Sequence, residues 1–227
     1  MVALLVVLTI LTFVTVDYLI QRRRRAHAPV IAVERAAHSV ADLFGRAGYR
    51  IPHGVFFDPG HTWMFLEETG AARVGVDDFA QAIVGDVDRF ETCPVGAELR
   101  KGDVILTMHH GDRKLSFRSP VDGVVEDVHD DVLQRKELLS IEPASASWIY
   151  RIRPSDAGSA IQGLMLGRAA KEWLMREVAR MKVFLSTLVP ANPAVGVTMQ
   201  DGGLPAYGLV DSLGEQEWRI LREHFFK

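Results

Sequence analysis

The side chains able to do chemistry are few and poorly partnered. Cys93 is the single cysteine, followed by Pro94, and no His motif adjoins it to form a nucleophilic pair. One cysteine also excludes an intrachain disulfide and a Cys-based zinc cluster. His109 and His110 are adjacent. On a strand they point to opposite faces and cannot grip one ion in the usual way. His53, His61 and His129 lack the carboxylate or thiol spacing of a zinc site and read as surface or turn residues, so no metal site is expected. No phosphate-binding glycine loop, dinucleotide fingerprint, GxSxG or HExxH is present. The chain is therefore expected to be non-catalytic and to act by binding.

Charge narrows what it binds. The 227 residues carry 26 Lys+Arg and 29 Asp+Glu, a formal charge of −3. The first 25 residues hold four arginines against one acid, so the remainder is net −6. An acidic body without a clustered basic face is not a nucleic-acid binder. From Val2 to Ile20 every residue is apolar or Thr except Asp17, and 19 helical residues span roughly 28 Å, close to a bilayer core. Arg22, Arg23, Arg24 and Arg25 follow at once, and no Lys or Arg precedes the stretch, which favours an uncleaved anchor over a signal peptide. The positive-inside rule then puts the N-terminus outside and the main domain in the cytoplasm, a single-pass protein of the inner membrane. Thr9, Thr12 and Thr15 recur at three-residue spacing, a face for packing against another helix. The arginine run would meet lipid headgroups.

Four regions follow: an anchor over 1–21, a basic juxtamembrane segment with a short helix over 22–55, a β domain over 56–156, and a helical tail over 157–227. Within the second, Glu34 to Arg46 carries apolar residues at helical spacing before Gly45 and Gly48. The β domain is announced by short β-branched runs between Gly, Pro and Asp: Thr62–Leu66, Ala72–Val76, Val104–Met108, Leu115–Phe117, Gly123–Val128 and Trp148–Ile152. Val76 to Ile83 interrupts them as a helical turn with Asp77 or Asp78 placed to cap it. Gly167 to Leu188 shows the apolar stripe of an amphipathic helix, Ala191 to Gly208 reads as loop, and Glu215 to Phe226 as a last short helix. The tail either packs back on the β domain or covers a partner.

The ordered segments His61-Thr62-Trp63, Ala72 to Asp86 (ARVGVDDFAQAIVGD), Val95 to Asp103 (VGAELRKGD), Ser119 to Val125 (SPVDGVV) and Trp148 to Asp156 (WIYRIRPSD) make residues 57–156 resemble the H protein of the glycine cleavage system. That resemblance implies a lipoyl carrier with a hybrid barrel-sandwich fold, mainly β with flanking α. It also implies a lipoyl lysine at a hairpin tip, ten residues after Gly102 and seven before Ser119. Both counts fall on Asp112, and an aspartate cannot form the lipoyl amide. The acid that normally introduces the lysine is replaced by His109. Lys114, two residues on, is the fallback lipoyl site; lipoate is otherwise not expected, and no other cofactor is implied. Gly111-Asp112 suits a tight turn. His109, His110, Arg113 and Lys114 around it form a basic knob, the expected partner contact. The reading is an accessory or scaffolding subunit of an integral membrane complex, respiratory or photosynthetic, with a lipoyl carrier modified at Lys114 as the alternative.

Overall fold

The computed structural model of the chain describes residues 51–134, 147–188, 199–200, 204–205 and 208–226. The anchor with Thr9, Thr12, Thr15 and Arg22 to Arg25, and the helix expected over Glu34 to Arg46, lie outside the described residues. Among those described, no helix is long and apolar enough to cross a membrane.

Three short strands open the domain: β1 Val55–Phe57, β2 Thr62–Leu66 and β3 Ala72–Val76. Helix α1, Asp78–Val84, follows directly. Asp77 is its N-cap, and its Oδ1 accepts the Ala80 N–H at 2.9 Å. This satisfies one of the amides that a helix start leaves orphaned. Next come β4 Arg89–Thr92, β5 Glu98–Leu99, the long hairpin of β6 Val104–His110 and β7 Arg113–Arg118, and β8 Gly123–Val128. After the turn of helix α2, Asp130–Gln134, strand β9 is Tyr150–Pro154. Helix α3, Ala157–Ala160, and β10, Met165–Leu166, lead into α4, Arg168–Leu188. The segment read as loop contains a two-residue ladder, β11 Met199–Gln200 against β12 Leu204–Pro205. A 3-10 turn, Leu209–Ser212, precedes α5, Glu215–Phe225.

Two sheets face each other across the core. One runs β10-β1-β2-β3-β9-β8-β5, the other β4-β6-β7, all antiparallel. The inward residues of both, among them Trp63, Val74, Leu106, Met108, Leu115, Phe117 and Ile152, are at most 1% exposed. Burying a large apolar side chain contributes roughly 1.5–3 kcal/mol each, so this cluster dominates the stability.

The motif residues turn out to be the joints of this sandwich. Trp63 sits directly opposite Gly75 in the β2–β3 ladder, and its indole N–H donates to the Val76 carbonyl at 3.1 Å. The indole lies flat where a side chain at 75 would be: a Cβ there would stand 2.5 Å from Trp63 Cε2 and Cζ2. In the Arg100–Asp103 turn, Asp103 accepts the Arg100 N–H at 2.8 Å, and Asp122 accepts the neighbouring Lys101 N–H at 2.7 Å. Ser119 closes its own turn onto the Val121 carbonyl at 2.6 Å.

Candidate functional site: the hairpin tip and its strap

The β6–β7 hairpin closes through Gly111-Asp112, with His110 and Arg113 as the last paired residues. Gly111 has φ +56°. A two-residue loop needs a positive φ at its first position in type II′, which glycine supplies without strain. The Gly111 N–H donates to Asp88 Oδ2 at 2.6 Å, which ties the tip to the β4 approach. Asp112 is exposed at the apex.

Strand alternation divides the basic knob in two. His109 and Lys114 form one cross-strand pair on the outer face; His110 and Arg113 form the next on the inner face. On the outer face His109 is 6% exposed, and its Nε2 lies 3.0 Å from Glu91 Oε1, which also takes Arg89 at 2.9 Å. The hydrogen bond with His109, reinforced by the charges of Arg89 and Lys114, holds the Glu91 carboxyl below its ordinary range. Lys114 itself is exposed.

The inner pair is taken by the chain's own tail. His110 Nε2 meets Asp211 Oδ1 at 2.5 Å, and its Nδ1 meets the carbonyl of Asp86. Arg113 donates to the Leu213 carbonyl, and its guanidinium lies 5.8 Å from the Trp218 ring centroid. The strap is fastened further along by Gly208 N–H to the Ala82 carbonyl at 2.9 Å, by Arg180 to the His224 carbonyl at 2.8 Å, and by Phe226 edge-on to Phe117. The tail thus packs back on the β domain over 208–226. The four knob residues do not form one open patch: His109 is buried, His110 and Arg113 are engaged, and Lys114 with Asp112 remains exposed.

His110 has an acceptor on each ring nitrogen, so only the doubly protonated imidazolium satisfies both. Burial opposes the charged form, but the Asp86 carbonyl, the Asp211 carboxylate and the nearby charge of Asp88 outweigh it and raise the pKa above 6.5. A raised histidine pKa means stabilisation that is complete below about pH 6.5 and lost as pH rises through the folded value. The wild type is therefore expected to exceed His110→Gln in urea midpoint at pH 5.5, by up to about 1 kcal/mol for a half-exposed pair. The gap should close by pH 9. A gap that widens with pH would show that the neutral ring makes the contact.

A second constellation was not read from the sequence. His61, expected at the surface or in a turn, does sit in a turn, with φ +63°, yet is fully buried. Its Nδ1 pairs with Asp77 Oδ2 at 2.8 Å, while Nε2 has no hydrogen-bond partner among the described residues. Phe79 stacks on it at 4.7 Å, and Trp173 of α4 and Phe226 of the tail close over it at 5.2 and 5.0 Å. Next to Asp77 in the chain, the Asp78 carboxyl is pushed up to about 7, by burial first and by the Asp77 charge second. The signal lay in His61-Thr62-Trp63 and the 16-residue step to Asp77, which no local pattern connects. His53 is exposed, and His129 stacks on Trp148 at 4.2 Å. Cys93 is half-buried, and burial raises its thiol pKa, the reverse of an activated nucleophile.

The fold is a two-sheet sandwich that presents a long hairpin with a two-residue tip. The glycine cleavage H-protein family profile covers residues 55–177, and the chain belongs to that family. It is 30% identical to a probable glycine cleavage system H protein of Pyrococcus furiosus over 126 residues, 56% of this chain and 93% of the relative. It is 33% identical to glycine cleavage system H protein 2 of Pseudomonas syringae pv. tomato over 115 residues, covering 51% and 89%. A crystal structure of a glycine cleavage system H protein from Mycobacterium marinum aligns with 56% of this chain and 98% of its own, at 20% identity and TM-score 0.48.

Proposed function

We propose that this chain is a non-catalytic accessory or scaffolding subunit of a membrane complex, respiratory or photosynthetic, built on an H-protein-like domain that has lost its carrier arm. The observation that carries the reading is Asp112 at the apex of the hairpin, where the family's lipoyl lysine is expected. The residues present do not fit an amide-linked lipoyl group at that turn. The tail covers the inner side of the tip, where His110 and Arg113 are held by Asp211, Leu213 and Trp218, and leaves Asp112 and Lys114 as its open part.

The Val2 to Ile20 stretch, with Thr9, Thr12 and Thr15 toward another helix and Arg22 to Arg25 at the headgroups, would anchor the chain with its β domain in the cytoplasm. The exposed remainder of the tip, Asp112 and Lys114, together with the strap over it, would then face the partner.

A second reading is favoured by one observation: Lys114 is exposed two residues from the apex. Modification there would make the chain a membrane-anchored lipoyl carrier. Intact mass of the chain purified from lipoate-supplied cells separates the two. The unmodified mass is expected; an added lipoyl group that disappears in Lys114→Arg would overturn the scaffold reading. Native electrophoresis of mildly solubilised membranes should place the chain in a large particle at fixed stoichiometry.

A further inference from the structure

Helix α4 buries one face, through Trp173, Leu174, Val178, Met181 and Leu185. Its opposite face is also patterned. Met175, Ala179 and Val183 recur every four residues, so they form one strip along the outer surface. Met175 is 48% exposed and Val183 65%. The strip is not a lapse at a single position. Beyond it, Val183 and Ala179 continue into an apolar groove of about 500 Å³, closed on the far side by Phe225 and His224 of α5.

Charge flanks the strip on both sides. By helical geometry Lys171 and Lys182 fall on one side and Arg176 and Arg180 on the other, while the ion pair of Arg168 and Glu172 lies on the same face ahead of Met175, on a chain whose residues after 25 sum to −6. The two acids of the helix are already used: Glu172 pairs with Arg168 at 2.8 Å, and buried Glu177 with Arg180 at 2.6 Å. No acid among the described residues pairs with Lys171, Arg176 or Lys182. An apolar strip rimmed by uncompensated cations is the pattern of a helix that lies in a bilayer interface with its charges among the headgroups.

The extent of the pattern decides between occupants. From Lys171 to Val183 the helix runs about 18 Å, and Lys171, Arg176 and Lys182 together with Met175, Ala179 and Val183 are distributed over that length. An acidic partner helix needs a groove to lie in. Here the groove begins only at Ala179 and runs to Thr187, so Lys171, Met175 and Arg176 lie outside it. A flat surface that is both negative and apolar matches the whole strip.

We propose that the outer face of α4 docks on an anionic bilayer surface, with Met175 and Val183 entering the interface and Lys171, Arg176 and Lys182 among the headgroups. The N-terminal anchor is a separate matter, because the face is built entirely from α4.

The test uses the full chain with Cys93→Ser and Val183→Cys, carrying an environment-sensitive fluorophore at 183. It is mixed with vesicles of phosphatidylcholine alone or of phosphatidylcholine with phosphatidylserine. Flotation with the neutral vesicles reports the anchor. The emission of the probe and its quenching by brominated lipid report the α4 face. A blue shift and quenching are expected only with phosphatidylserine, fading as salt shortens the range of the headgroup field. Lys182→Gln should weaken the response roughly five-fold, the share of one charge near the surface. Equal response in neutral vesicles, no response in either, or an equal response from the same probe at exposed Val95 would each overturn the proposal. Protection of position 183 by a co-purified protein in lipid-free detergent would overturn it in favour of a helix partner.

Discussion

Gly123→Ala is expected to cost at least about 3 kcal/mol, the upper end of what overpacking a core commonly costs. Gly123 is buried at the start of β8, opposite Pro154 in the ladder with β9. Its φ is not in the left-handed region, so backbone strain is not the reason. The reason is space. A Cβ at 123 would overlap the Arg153 carbonyl oxygen and sit 2.9 Å from the Arg153 carbonyl carbon and from Ile152 Cγ2. Backbone atoms cannot swing aside as a side chain can, so the β8–β9 ladder itself would have to part. A small domain has roughly 5–15 kcal/mol in total, so a loss of this size removes a large part of it. Urea unfolding followed by far-UV circular dichroism reads the change directly. A midpoint shift equivalent to less than about 1 kcal/mol, the ordinary effect of a point substitution, would mean that the two strands are not this close. The result would bear on family membership as well as on stability, because this glycine lies in the Ser119 to Val125 segment that carries the resemblance.

That segment illustrates what the sequence could and could not reveal. Ser119 to Val125 and Ala72 to Asp86 were readable because their jobs are local or fixed in spacing: a turn, a ladder pair, a helix cap. The long amphipathic pattern of α4 was readable for the same reason, its buried residues recurring at the helical period over 21 residues. Strands β1, β5 and β10, of two or three residues, are too short to show a period of two. β4 has the burial of an edge, with no residue fully buried, and so offered no alternation to detect. The ladder of β11 and β12 lay in a stretch whose turn-rich composition reads as loop.

The hairpin tip failed in a more instructive way. Its four basic residues are close in sequence, but strand alternation places them as two pairs on opposite faces. The inner pair then meets residues about 100 positions away, at Asp211 and Leu213. Asp211 had no distinguishing local context, and a tail that contributes one carboxylate and one carbonyl leaves no motif. The outer pair meets Glu91 on a strand that was itself unread. What looked like one basic surface is therefore an internal fastening on one side and an ion cluster on the other. This is why the open part of the tip reduces to Asp112 and Lys114.

The other large effect should come from Asp77→Ala, expected to cost about 1.5–5 kcal/mol. Two losses combine. Oδ1 caps α1 through Ala80, and removing such a cap costs about 0.5–2 kcal/mol. Oδ2 holds the buried His61 ring, and stripping a buried polar group of its partner costs about 1–3 kcal/mol more. The second loss is severe here because His61 Nε2 already lacks a partner, which leaves the ring with none. Asp77→Ser separates the two contributions. Serine keeps the cap but is too short to reach His61, so it should recover the smaller share only. If alanine and serine destabilise equally, the cap contributes nothing. If serine restores wild-type stability, the His61 pair does not anchor the fold despite its burial. The consequence reaches the tip. Trp173 and Phe226 close over His61 from α4 and the tail, so a ring freed from Asp77 should loosen the C-terminal end of the strap. Amide exchange at Leu221 to Phe226 should then quicken in Asp77→Ala while the β2–β3 ladder stays protected. Uniform acceleration across both regions would instead mean that the variant unfolds as a whole, with no selective link between the buried pair and the tail.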